Sequence, residues 1–276
     1  MAYVLLSVTL LAYFGATGMC LAYVIAQREV FCRLGVWCLA AGWAAQTGEI
    51  LRQTLISGHL PMASLGEALL IFSWTLAGAF LLLTWRFPIK VLGALAAPLL
   101  ALMASAVLLL PARQAQVSPL LQGFWLHLHV FLALLGNAAL TLAGLGGILY
   151  LVQERQLKHK KFGFFYRRLP SLTQLDALNY WCLTLGFPLL TLGIITGSLY
   201  AQLALGRFFG WDPKEVLTLV AWIIYAVLLH ERLAAGWRGR RAALMAIGGL
   251  GVLVAAFLGA NLWFSGYHSF GSFVKP

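Results

Sequence analysis

Apolar positions along this chain do not alternate with polar ones. They run together, and the runs recur eight times, at roughly 3–26, 31–51, 65–85, 90–110, 124–153, 178–204, 215–233 and 241–264. Short stretches with Lys, Arg, Gly or Pro separate them. About 20 apolar residues suffice for a helix to cross a bilayer, so the pattern predicts eight transmembrane helices. The fifth run is longer than a bilayer needs, which predicts a helix that tilts or projects. Pro98 and Pro188 fall inside runs, where membrane helices tolerate the kink they introduce. No internal repeat or low-complexity linker interrupts the series. The reading is an all-α integral membrane protein with residues 1–276 as a single polytopic domain.

Composition removes the soluble alternatives. Hydrophobic residues make up 62% of the 276 and charged residues only 10%, against about a quarter charged in a soluble domain. The net charge of +11 would suggest nucleic acid on a soluble face. Here the basic residues lie in the short loops, so topology explains them and no nucleic-acid partner is expected. Fourteen of the nineteen Lys and Arg follow the first, third, fifth and seventh runs. The positive-inside rule puts those loops in the cytoplasm and both termini on the outer, periplasmic or extracellular face of the cell membrane. The first residues, "MAYVLLSVTLLAYFG", have no basic n-region, so no cleavable signal peptide is expected. Cys20, Cys32, Cys38 and Cys182 form no CxxC pair and read as small buried hydrophobes. There are no paired intramembrane carboxylates, HExxH, phosphate loop or nucleophile elbow.

Candidate chemistry gathers on the predicted outer face. The stretch "GRFFGWDPKEVLTLVAWIIYAVLLH" (206–230) opens with aromatics and charges before its apolar run. Helix capping accounts for part of it: Asp212 suits the cap, Pro213 the first helical position, and Glu215 the reciprocal carboxylate. Capping does not account for Phe208, Phe209 and Trp211 beside Arg207 and Lys214. Aromatics with a few cations suit a flat, apolar ligand that bears carboxylates. Haem has that character, and its iron takes imidazole. His129 and His268 lie on the same predicted face, each flanked by aromatics, among them Trp125, and are the candidate iron ligands. His127, two residues from His129, points to a different helix face; it and His59 are expected to meet headgroups, water or backbone. His159, in "KHKK", reads as a solvated loop residue. His230 sits at the cytoplasmic end of its run. It reads either as a functional intramembrane histidine or as one that snorkels to the surface with Arg232 nearby. Arg52, Arg113, Arg207 and Lys214 are the basic residues available to propionates.

These residues carry a family resemblance. "WDPKE" followed by Trp222, Tyr225 and "LLH" to His230 resembles the tryptophan-rich WWD segment of the haem-handling proteins of cytochrome c biogenesis. That family includes CcsA/ResC-type, CcmC, CcmF and HemX-like proteins. Agreement with the CcsA type extends through "SGHLPMASLGEALLIFSW" (57–74), "LLQGFWLHLHV" (120–130), residues 169–201 and "GYHSFG" (266–271), so that 57–271 resembles the assembly domain with its WWD-like loop at 205–222.

The resemblance implies haem b as cofactor, with His129 and His268 as outer axial ligands and His230 as ligand at an inner haem site. It also implies that Trp211, Asp212 and Trp222 belong to the haem-holding surface. The implied function is delivery of haem to the outer face, for thioether attachment to the CxxCH of apocytochrome c. The implied role is as a component of a cytochrome c synthase with no nucleophile of its own, beside a CcsB/ResB-type membrane partner. Leu205, Phe209 and Leu217 stand where the family's richer pattern has Trp. With the chain's small size, this motivates an alternative, a HemX-like membrane regulator of glutamyl-tRNA reductase abundance.

Overall fold

The computed structural model describes residues 2–62, 64–87, 89–110, 123–160, 163–164 and 166–262. Its elements are helical: α1 (Ala2–Ala26), α2 (Glu29–Ser57), α3 (Leu65–Arg86), α4 (Gly93–Leu109), α5 (Phe124–Lys158), α6 (Leu172–Leu205), α7 (Pro213–Ala234) and α8 (Arg240–Leu262), with a short 3-10 turn, Lys90–Leu92, before α4. In hydrocarbon a helix satisfies its own backbone donors and acceptors, which is why long apolar runs become helices. Seven of the eight are long and apolar enough to span a membrane. The chain is therefore a multi-pass membrane protein.

The second helix is the exception to the eight expected spans. It carries Gln46 and Glu49 within its apolar run, and both are buried. Gln46 accepts from Tyr13 Oη at 2.6 Å and donates to Ser73 Oγ at 2.7 Å and the Leu70 carbonyl at 2.9 Å. Glu49 is paired with Arg52 at 2.6 Å and accepts from Gln53 at 2.7 Å. These polar groups lower the helix's apolar character, and helix partners satisfy them, as buried polar groups require.

The sixth helix begins at Leu172, earlier than the expected 178. Its start is a capping box that the polar character of "SLTQ" conceals. The Ser171 hydroxyl accepts from the Gln174 amide at 3.3 Å, and Gln174 Oε1 accepts from the Ser171 amide at 3.2 Å. The 35 residues of α5 make a rod of about 52 Å, well beyond the bilayer's hydrocarbon core of about 30 Å.

The helices gather into two compact units. The first comprises residues 1–113 and 152–174. In it α1 packs on α2 and α4, and α3 on α2 and α4. Trp43 and Trp74 stack across α2 and α3 with centroids 5.6 Å apart, and Trp74 donates to Thr47 at 2.7 Å. Lys90 closes the α1–α2 and α3–α4 turns by pairing with Glu29 at 2.6 Å. Cys20 is buried here and Cys182 in the second unit, and all four cysteines are free thiols.

The second unit comprises residues 114–151 and 175–276. Its described helices run antiparallel in sequence. Against α5, a Cβ on Gly186 would strike Leu140 and one on Gly193 would strike Ala133. Against α7, Trp222 bonds to Thr191 and Arg232 to Asp176. Tyr225 of α7 donates to the Ala246 carbonyl of α8 at 3.5 Å, and Leu250 of α8 fills the space over Gly144 of α5. The core is Leu140, Leu183, Leu190, Ala221, Tyr225, Leu228, Ala242, Ala246 and Leu253. This up-and-down order brings the start of α5, the end of α6, the start of α7 and the end of α8 to one end of the unit.

Candidate functional site

That shared end holds the loop 206–212. Gly206 has φ +71° and Trp211 φ +56°. Glycine adopts the first freely, whereas a bulky residue in the left-handed region is uncommon. The turn at Trp211 leaves its indole 77% exposed, with Phe209 edge-on behind it at 5.1 Å. Asp212 is buried and caps α7, its Oδ1 accepting from the Lys214 amide at 2.9 Å. Glu215 does reach back, but to the Gly210 amide at 2.7 Å. With the backbone left-handed at Trp211, Gly210 is the amide that meets the carboxylate. Capping therefore occupies Asp212 and Glu215, and the loop leaves Phe208 and Trp211 exposed.

At the start of α5, Phe124 and Trp125 are exposed too and meet edge-to-face at 6.0 Å. His129 lies one turn further along. Its Nδ1 is 2.7 Å from the Gly193 carbonyl oxygen of α6. A carbonyl can only accept, so Nδ1 carries the hydrogen, and in the neutral ring the lone pair is then on Nε2. His127 bonds locally instead, Nδ1 to the carbonyl of Gly123 just before its helix at 2.9 Å, and His59 bonds to the Leu60 carbonyl at 2.9 Å. Both meet backbone. His268, with its flanking aromatics, lies outside the described residues; α8 ends at Leu262 at this same end of the unit.

Trp222 and His230 lie away from the loop. Trp222 is packed between helices: it stacks on Phe187 at 5.5 Å and donates to Thr191 Oγ1 at 2.9 Å. It stands nine residues past Pro213, about 13 Å along the axis. His230 is at the opposite end of the unit. It is exposed, in one stripe with Ile223 and Val227. Its neighbour Arg232 does not snorkel. The guanidinium is buried, pairs with Asp176 Oδ2 at 2.6 Å and donates to the Asp176 carbonyl at 3.0 Å. The Gly239 amide, just before α8, donates to the same carboxylate at 2.8 Å. Sequence reasoning missed this clasp. It also missed the α6 residues around His129, although Gly193 and Gly197 stand in a GxxxG spacing that marks close helix approach. Of the basic residues considered for propionates, Arg52 is held by Glu49, and Arg113 lies outside the described residues.

Comparison with known proteins gives this arrangement its family. The model of the cytochrome c assembly protein family matches residues 62–268. The chain is 40% identical over 224 residues to the cytochrome c biogenesis protein CcsA of Chlamydomonas reinhardtii, covering 79% of this chain and 62% of the algal protein. It is 35% identical over 252 residues to CcsA of Synechococcus sp. (strain CC9902), covering 82% of this chain and 83% of that one. A solved structure, the cytochrome c haem lyase CcmF, shares the fold with a TM-score of 0.69 at 15% identity, over 94% of this chain and 48% of its own length. The chain thus spans a little under two thirds of its algal relative and about half of CcmF. The chain belongs to the cytochrome c assembly protein family and is a homologue of its CcsA proteins.

Proposed function

We propose that this chain holds haem b at the His129 end of the second unit and presents it, on the outer face of the cell membrane, for covalent attachment to the CxxCH of apocytochrome c. The observation that carries the reading is His129 itself. Its Nδ1–H is tied to a backbone carbonyl, as in histidines that ligate metal through the other nitrogen, at a helix end with exposed aromatics. Phe124, Trp125, Phe208 and Trp211 are all exposed and suit a flat apolar macrocycle. His268, six residues past the end of α8, supplies the second axial imidazole. Arg207 and Lys214 flank the aromatic loop in sequence and are the basic residues available there to the propionates. Asp212 holds the loop to α7, Phe209 backs Trp211, and Trp222 keeps α7 on α6 beneath the loop.

The chemistry then asks little of this chain beyond position. Each apocytochrome thiol adds S–H across a haem vinyl group, sulfur to one carbon and hydrogen to the other. The nucleophile comes from the apocytochrome. His230, on an exposed stripe at the other end of α7, marks the inner station, and a CcsB/ResB-type membrane partner supplies the histidine facing it.

The test is the absorption spectrum of purified protein, oxidised and reduced, beside a His129→Ala/His268→Ala variant, followed by a cytochrome c maturation assay. Wild type should give a low-spin bis-imidazole spectrum that the variant loses or weakens, together with maturation. Unchanged haem content and unchanged maturation in the double variant would sink the reading.

A further inference from the structure

The ring of His129 is seated on α6 rather than on its own helix. Its Nδ1 meets the Gly193 carbonyl at 2.7 Å. A Cβ on Gly197 would lie 2.6 Å from both Cε1 and Nδ1 of the imidazole, so the ring fills the space where a side chain would stand. Between these glycines, Thr196 is buried. Its hydroxyl bonds to the Leu192 carbonyl at 2.7 Å and also reaches the Gly193 carbonyl at 3.0 Å, a three-centre arrangement. The carbonyl that accepts from His129 is thus shared with Thr196. A Cβ on Gly193 would lie 3.0 Å from Ala133 Cα and N, so backbone contact there brings α6 close to α5.

We propose that Gly193, Thr196 and Gly197 of α6 are positioning residues for the haem-ligating nitrogen of His129. Gly197 gives the ring its seat. The Gly193 carbonyl holds Nδ1–H and so commits Nε2 to the iron. The Thr196 hydroxyl, by competing for that carbonyl, sets how strongly the imidazole is polarised. A stronger Nδ1–H bond gives the imidazole more imidazolate character and favours ferric over ferrous iron. The proposal rests on the reading of His129 as an iron ligand.

The first measurement is independent of haem. In haem-free full-length protein labelled with 13C and 15N histidine, and assigned with His129→Gln, the His129 signal should be that of the Nδ1–H tautomer. It should be displaced in Gly197→Ala and not in Gly186→Ala, a change on the same α5–α6 seam against Leu140. The second measurement uses haem-loaded protein. Thr196→Val, close in volume and so foldable even where Gly197→Ala is not, should keep wild-type haem content and shift the midpoint potential downward. An Nε2–H signal for His129 in wild type overturns the proposal, and so does an unchanged potential in loaded Thr196→Val. An unchanged haem spectrum in His129→Ala overturns instead the ligand reading beneath it, whatever the tautomer.

Discussion

Trp211 combines two costs that structural economy alone would avoid: a left-handed backbone at φ +56° and a largely exposed indole. A left-handed conformation disfavours an L-residue by roughly 1–2 kcal/mol, and glycine removes that penalty. If the indole is part of the haem-holding surface, Trp211→Gly should lower haem content while the melting temperature in detergent holds or rises. Wild-type haem retention in that variant would show that the indole takes no part. His127 provides the contrasting case. Its ring bonds to the Gly123 backbone just before its own helix, so His127→Ala should leave the haem spectrum unchanged, and loss of the low-spin signal would make it a rival ligand to His129.

At the scale of elements, the Asp176 carboxylate fastens three helices, accepting from Arg232 at the end of α7 and from the Gly239 amide before α8 while standing on α6. The Arg232 side chain is only 5% exposed and Asp176 19%. Removing one partner of a buried pair leaves a charge without its counter-ion, at a cost of about 3–5 kcal/mol. Asp176→Ala should therefore lower the melting temperature markedly, and Asp176→Leu/Arg232→Leu should be milder than either single change. A double-variant loss equal to the sum of the two single losses would mean that the pair is not coupled. The starts and ends of elements divided in legibility. The α7 cap was readable because Asp, Pro and Glu stand in order in "WDPKE". The α6 cap, Ser171 with Gln174, is equally local, but its polar first turn reads as part of the loop.

For the whole molecule, the loop 206–212 and the end of α8 share one end of the second unit, and residues 235–239, which join α7 to α8, lie at the other. By the positive-inside rule the loop charges lead to the expectation that these ends lie on opposite sides of the membrane. A reporter active only outside the cytoplasm should work when fused after Gly210 and fail after Lys160. The reverse pattern would invert the topology, placing His129 inside and His230 outside. The second helix also belongs to this scale. Its Gln46 and Glu49 are tolerable in an apolar helix because Tyr13, Ser73 and Arg52 satisfy them. Two of those three partners come from other helices.

The sequence by itself determined the membrane class, the number and limits of most helices, the capping of α7 and the family, since each is written in local order. Backbone polar groups must be satisfied within a segment in lipid, so length and apolarity are enough to call a helix. Only the tertiary structure decided which polar and aromatic side chains meet. His129 finds its carbonyl 64 residues away, Arg232 its carboxylate 56 away and Trp222 its hydroxyl 31 away. Those partners are selected by how close two helices approach, and for His129 that approach depends on Gly193 and Gly197, whose missing side chains show their purpose only when α5 is in place.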